Sequence, residues 1–189
     1  ENRVDYWADE ISFSAHGMSF TLRSKQGDSV PMKTQLLGKH NIYNILAAAA
    51  VAVDLGMDYG AIAHAVAAVP PVPHRLVLKS AGNFTIIDDA FNSNPVGSKM
   101  ALEVLSKMPG GRKIIITPGM VELGAEEYRK NKEFAMECAR LCDFVIIVGK
   151  KHSAALVDGI KAAKLPEDKC YIADDLADAN LKMRQMVMA

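Results

Sequence analysis

KIIITPGMVELGAEEYRKNKEFAMECARLCDFVIIVGK, Lys113 to Lys150, holds two short Ile/Val runs around one long amphipathic stretch. Runs this continuously apolar indicate strands buried on both faces, and a helix between them implies a right-handed crossover joining parallel strands. The same alternation extends in both directions. RLVLKS, FTIIDD and CYIADD supply further apolar runs, and helical patterns cover Val96–Lys107, Ala125–Leu141, Ser153–Ala163 and Leu176–Met188. The expected fold class is α/β, a mostly parallel sheet with flanking helices. RLVLKS and FTIIDD are joined by Ala81-Gly82-Asn83, which reads as a hairpin and gives that sheet one antiparallel edge.

The chain upstream has another character. Residues 1 to about 37 alternate apolar and polar, with Gly17 and Gln26-Gly27-Asp28 between three short strands. This pattern predicts a small antiparallel meander, which needs a covering element for its apolar face. The Ala-rich stretch after Gly38 predicts a helix from a cap at Asn41 to about Leu55, and Tyr59–Ala68 predicts a second. Val69-Pro70-Pro71-Val72-Pro73 then stops helical structure, because proline lacks the N–H and restricts its predecessor. The expected division is therefore residues 1–72 and 73–189.

Bulk properties narrow the function. Twenty-two basic residues balance 22 acidic ones, which gives no electrostatic reason to expect a nucleic acid or an anionic membrane as partner. No apolar run approaches the ~20 residues of a membrane span, and the N-terminus lacks a signal-peptide pattern. Cys138, Cys142 and Cys170 have no metal-type spacing, so a reducing, cytoplasmic setting is expected, with Cys138 and Cys142 as small buried groups. The missing initiator Met and the uncapped LKMRQMVMA end lead to the expectation of a fragment.

Polar residues gather just after each apolar run, where open parallel sheets bind ligands. They are Asp88, Asp89, Asn92 and Asn94; then Thr117-Pro118-Gly119-Met120-Val121-Glu122-Leu123-Gly124; then Gly149-Lys150-Lys151-His152-Ser153; then Asp174 and Asp175. Ser153, Asp174 and Asp175 read as helix caps or wet loop residues. Gly149-Lys150 is not a Walker loop, because position 144 is Phe where that loop has Gly. A phosphoacceptor cluster of the receiver type is also disfavoured, since the strand after Lys113 ends without an acid.

Four motifs in order resemble the Mur ligase family across nearly the whole chain. Gly38-Lys39-His40-Asn41-Ile42-Tyr43-Asn44 is similar to its G-x-H-N-x-x-N element, and Val72-Pro73-His74-Arg75 to its interdomain Pro-x-Arg segment. Asp88 to Pro95 resembles the first loop of its C-terminal domain. Gly119 to Gly124 is similar to the G-D-M-x-E-L-G element of its D-alanyl-D-alanine-adding branch, with Gly119 where an acid is usual. The resemblance implies a Rossmann-like C-terminal domain at 73–189, truncated at its end, preceded by the distal part of a central ATP-binding domain.

It further implies an ATP-dependent carboxylate–amine ligase of peptidoglycan precursor synthesis, adding D-alanyl-D-alanine to UDP-N-acetylmuramoyl-tripeptide through an acyl phosphate. A monomer acting on small molecules is expected, with Mg²⁺ held by residues upstream of this chain. Asn41 and Asn44 would contact adenine, Arg75 the ribose or phosphates, and Asp89 the nucleotide. Asn92, Asn94 and Glu122 are candidates on the loop and acceptor side. Asn41 and Asn94 also read as helix caps, Asp88 as a structural acid, and neither His40 nor His74 is assigned to chemistry. Without a phosphate loop the fragment is expected to be inactive alone. Alternatives are a cyanophycin- or folylpolyglutamate-type ligase, or a non-catalytic nucleotide- or partner-binding module.

Overall fold

The computed structural model describes residues 4–82, 84–150 and 153–188, and for Val187 and Met188 the backbone alone. Asn83 of the expected hairpin turn, and Lys151 and His152 after the third apolar run, lie outside the described residues. Contacts divide the chain into two compact units: Glu1–Phe91 with Lys107–Pro109, and Asn92–Ser106 with Gly110–Ala189.

The first unit opens with the expected meander, β1 (Tyr6–Ser14), β2 (Gly17–Ser24) and β3 (Ser29–Thr34), paired antiparallel in that order. Met18, Phe20 and Leu22 alternate on one face of β2 and are buried with Met32 of β3. Helix α1 (Lys39–Asp54) turns Ile42, Ile45, Leu46 and Ala49 inward at the spacing of a single helical face. Helix α2 (Tyr59–Ala68) starts at Asp58, whose Oδ1 accepts the Ala61 N–H at 2.9 Å. Asn41, expected as the cap of α1, lies inside the first turn; the helix begins after Gly38, whose φ is 91°.

The unit closes with β4 (Val77–Ala81) and β5 (Phe84–Asp88), an antiparallel hairpin as expected. It is a two-stranded sheet of its own rather than an edge of the parallel sheet. The reason is visible in its composition: Lys79, Ser80 and Thr85 break the apolar runs, and all three are exposed. The hairpin thus carries a wet face that a doubly covered sheet would not accept.

The second unit is layered. Parallel strands β6 (Ile114–Thr117), β7 (Phe144–Val148) and β8 (Cys170–Ala173) lie in that order. Val145 and Ile147 of β7 pack with Leu102 of α3 (Pro95–Lys107), Phe134, Ala135 and Cys138 of α4 (Glu127–Leu141), and Leu156 and Ile160 of α5 (Ser153–Ala162). Ile146 points to the other face, against Ala173 and against Ala179 and Met186 of α6 (Leu176–Met188). Both faces of β7 are covered, as its unbroken FVIIV run implies. Helices α4 and α5 approach closely at Gly159, where a Cβ would lie 2.3 Å from the Lys132 carbonyl oxygen. Asp175 caps α6 by accepting the Asp178 N–H at 2.8 Å, while Asp174 pairs with Lys150 at 2.9 Å.

One buried polar residue organises the loop after β6. Asn131 of α4 is 1% exposed; its Oδ1 accepts the Met120 N–H at 2.8 Å and its Nδ2 donates to the carbonyls of Met120 and Glu127 at 2.9 Å. Removing this amide strands buried backbone groups, at about 1–3 kcal/mol each. Asn131→Ala is therefore expected to lower the unfolding free energy by about 2–5 kcal/mol, read by urea denaturation, whereas an exposed α4 control such as Glu137→Ala changes it by less than ~0.5 kcal/mol.

Candidate functional site

The residues between Pro73 and Val77 form a short strap with unusual backbone geometry. His74 and Leu76 have φ of 60° and 51°, left-handed values that side chains with a Cβ rarely adopt. Such strain of about 1–3 kcal/mol per residue persists only where surrounding contacts impose it, and here they are explicit. The loop after β5 laces the strap at four points. Asp88 Oδ2 meets His74 Nδ1 at 2.9 Å, the Phe91 N–H donates to the His74 carbonyl at 3.2 Å, and the Leu76 N–H donates to Asp89 Oδ1 at 3.2 Å. Finally, the Arg75 guanidinium carbon lies 4.2 Å from the Phe91 ring centroid.

The two adjacent acids therefore differ in character. Asp88 is held by the Lys79 ammonium at 2.5 Å, by the Ala90 N–H and by His74, and these bonds, Lys79 foremost, keep its carboxyl below the usual range against some burial. It is a structural acid. Asp89 is instead shifted upward, because burial outweighs the Leu76 N–H and the nearby Arg75 and His40. A carboxylate kept partly desolvated, with the Arg75 and His40 charges acting on it, can accept hydrogen bonds from a ligand.

His40, to which the sequence alone assigns no role, adjoins this cluster. Burial pushes its imidazole below the ordinary value, opposed by Asp89, so the neutral form dominates at pH 7. Its Nδ1 is buried without a hydrogen-bond partner. The ring lies against Gly38, where an added Cβ would be 2.7 Å from His40 Cε1, with Leu76 of the strap at 3.4 Å. The G-x-H-N element and the Pro-x-Arg segment are thus neighbours in space. A burial prediction for an isolated His is beyond residue-type reasoning, although its place beside a glycine at a helix start is the available signal.

The other predicted residues sort by unit. Asn41 donates from Nδ2 to the Leu37 carbonyl at 2.8 Å, and Asn44 is exposed one turn further along α1. Together with Arg75 and Asp89 they belong to the first unit. Asn92, Asn94 and Glu122 belong to the second. Asn94 caps α3, its Oδ1 accepting the Gly97 N–H at 2.9 Å, and Asn92 is exposed. Glu122 is exposed with φ of 63° in the loop that Asn131 anchors. Gly119 has φ of 84°, and a Cβ there would sit 2.6 Å from Asn131 Oδ1. An acid at that position would collide with the anchor, which accounts physically for the departure from G-D-M-x-E-L-G. Asn131 was legible only as a polar residue on the apolar face shared with Phe134, Ala135 and Cys138. Among the described residues no group of three or more His, Cys, Asp or Glu side chains could hold a metal ion, and no helix is long and apolar enough to cross a membrane.

Known proteins match this arrangement. The family described as Mur ligase, glutamate ligase domain covers residues 74–188, and the Mur ligase middle domain covers residues 1–52. The UDP-N-acetylmuramoyl-tripeptide–D-alanyl-D-alanine ligase of Escherichia coli strain K12 is 36% identical over 180 residues, 90% of this chain and 39% of that protein. Among solved structures, MurF from Acinetobacter baumannii superposes with a TM-score of 0.79 at 24% identity, over 100% of this chain and 40% of that one. The MurF ligase from Thermotoga maritima, solved in complex with ADP, gives 0.71 at 18% identity over 90% and 38%. The chain spans about two fifths of the length of these relatives. With one domain signature running through more than half of its residues and a second preceding it, the chain belongs to the Mur ligase family.

Proposed function

We propose that this chain is the nucleotide-contacting portion of an ATP-dependent ligase that joins D-alanyl-D-alanine to UDP-N-acetylmuramoyl-tripeptide in peptidoglycan precursor synthesis, acting as a monomer in the cytoplasm. The observation that carries this reading is the strained strap, which sets Arg75 beside Asp89 and the unpartnered His40 within one compact unit. Similarity to D-alanyl-D-alanine ligases supports the choice of acceptor. The family frame also supports the domain division at 72/73, with the hairpin opening the C-terminal domain.

In this reading the chain's residues bind and orient; they do not carry the bond-making step. Arg75 offers a planar fork of N–H donors to ribose or phosphate oxygens. Asn41 and Asn44 offer amides that both donate and accept, as an adenine edge requires. Asp89 accepts donor groups of the nucleotide while continuing to receive the Leu76 N–H. Asn92 and Glu122 lie on the loops of the second unit that would face the acceptor, with Asn94 fixing the start of α3. The family resemblance assigns the metal and the phosphate loop to other parts of the protein. The chain alone is accordingly expected to be inactive.

The test uses the full-length protein and follows phosphate release from ATP with UDP-N-acetylmuramoyl-tripeptide, with and without D-alanyl-D-alanine. Release that requires both substrates is expected; release with another amine instead would reassign the acceptor, and none with any amine would favour a non-catalytic module. Arg75→Ala should lower turnover by about 10²-fold or more, as for loss of a donor to a transferring group.

Asp89→Asn separates function from stability. The folded-state pKa of Asp89 is raised, so its ionised form opposes folding above that pKa, and the opposition fades as pH falls through it. The amide keeps an acceptor for the Leu76 N–H without the charge. The variant should therefore lose turnover while melting no lower than wild type at pH 7, with the difference in melting temperature shrinking toward acid pH. A drop of several degrees at pH 7 would make Asp89 a structural residue.

A further inference from the structure

We propose that Phe91 is a positioning residue that holds the Arg75 guanidinium by its face and leaves its N–H edge free for the oxygens of an anionic ligand; this rests on the reading of Arg75 as a nucleotide contact. Phe91 is 64% exposed, so its ring adds little to a core. Its backbone is nonetheless fixed, the N–H donating to the His74 carbonyl, and its ring lies 4.2 Å from the Arg75 guanidinium carbon. The strap supplies the complementary half. With left-handed His74 and Leu76 on either side and Leu76 tied to Asp89, the Arg75 backbone is set, and the long side chain is the soft part.

The type of partner matters. A carboxylate paired to Arg75 would occupy the same N–H donors that a phosphate needs and would cancel part of the charge. An aromatic face holds the cation by its quadrupole and leaves the in-plane donors available. Asp89, whose charge Arg75 acts on, already accepts the Leu76 N–H, and Asp88 is engaged by Lys79, His74 and Ala90. Phe91 thus reduces the rotamer freedom that Arg75 loses on binding, which is preorganisation in the ordinary sense.

The experiment measures steady-state kinetics of the full-length ligase with Phe91→Leu, Phe91→Tyr, Arg75→Lys, Arg75→Ala and the Phe91→Leu/Arg75→Lys double variant. Phe91→Leu should raise KM for ATP roughly two- to fivefold, the range of an exposed cation–π contact. KM for the UDP-linked precursor and for the amine should stay unchanged, as should the melting temperature. Phe91→Tyr, which keeps the ring, should restore the wild-type value. In the Arg75→Lys background the Phe91→Leu effect should shrink, because Lys presents no planar face to stack. An unchanged KM for ATP in Phe91→Leu, or an equal increase in both backgrounds, overturns the positioning role while leaving Arg75 as a nucleotide contact. A wild-type KM for ATP and kcat in Arg75→Lys and Arg75→Ala overturns both.

Discussion

The Leu76 N–H donating to the Asp89 carboxylate is the bond on which the geometry of the site depends. A left-handed leucine is unfavourable, and here the residue is also buried to 5% exposure. The acceptor must therefore come from a fixed place, and the end of β5 supplies it. Once that bond is made, Arg75 projects from a backbone with little freedom, and Asp89 becomes a desolvated acid beside a cation. The Asp-Asp pair divides the work: Asp88 locks the strap through His74, and Asp89 keeps an electrostatic potential that a fully satisfied carboxylate would lose.

The second unit follows another logic. Its sheet is secured by covering both faces of β7, and its loops are secured by caps and by Asn131. The anchor and the positive φ explain why the loop after β6 favours glycine at 119, and the anchor ties a surface turn to the interior of α4. Polar groups inside such a core are stable only when all their bonds are made, and Asn131 makes three.

Much of the second unit was legible because its signals are periodic. Ile/Val runs, a 3.6-residue apolar stripe in α4, and Asn94-Pro95 before α3 each point to one local structure, and those structures form. The meander and the two helices of the first unit were legible for the same reason. The hairpin's separation from the parallel sheet was not, because apolar content in RLVLKS and FTIIDD outweighed the polar interruptions in a run-based reading. Nor were the left-handed His74 and Leu76. Histidine is only modestly enriched at positive φ and leucine not at all, and the long-range bonds that impose it join residues far apart in sequence. The burial of His40 was hidden likewise. The motifs singled out the candidate residues; their electrostatics needed the fold.

The distribution of two rare residue types across the units has a practical consequence. The single tryptophan, Trp7, lies on β1 of the first unit, whereas all three cysteines lie in the second. Burial leaves Cys138 fully enclosed with its thiol pushed well up, and raises Cys142 to about 12, so both hold almost no thiolate at neutral pH. Indole fluorescence then follows the first unit, and alkylation of Cys138 and Cys142, as distinct from the half-buried Cys170, follows the second. The native chain carries, without any labelling, the means to time the opening of one unit against that of the other.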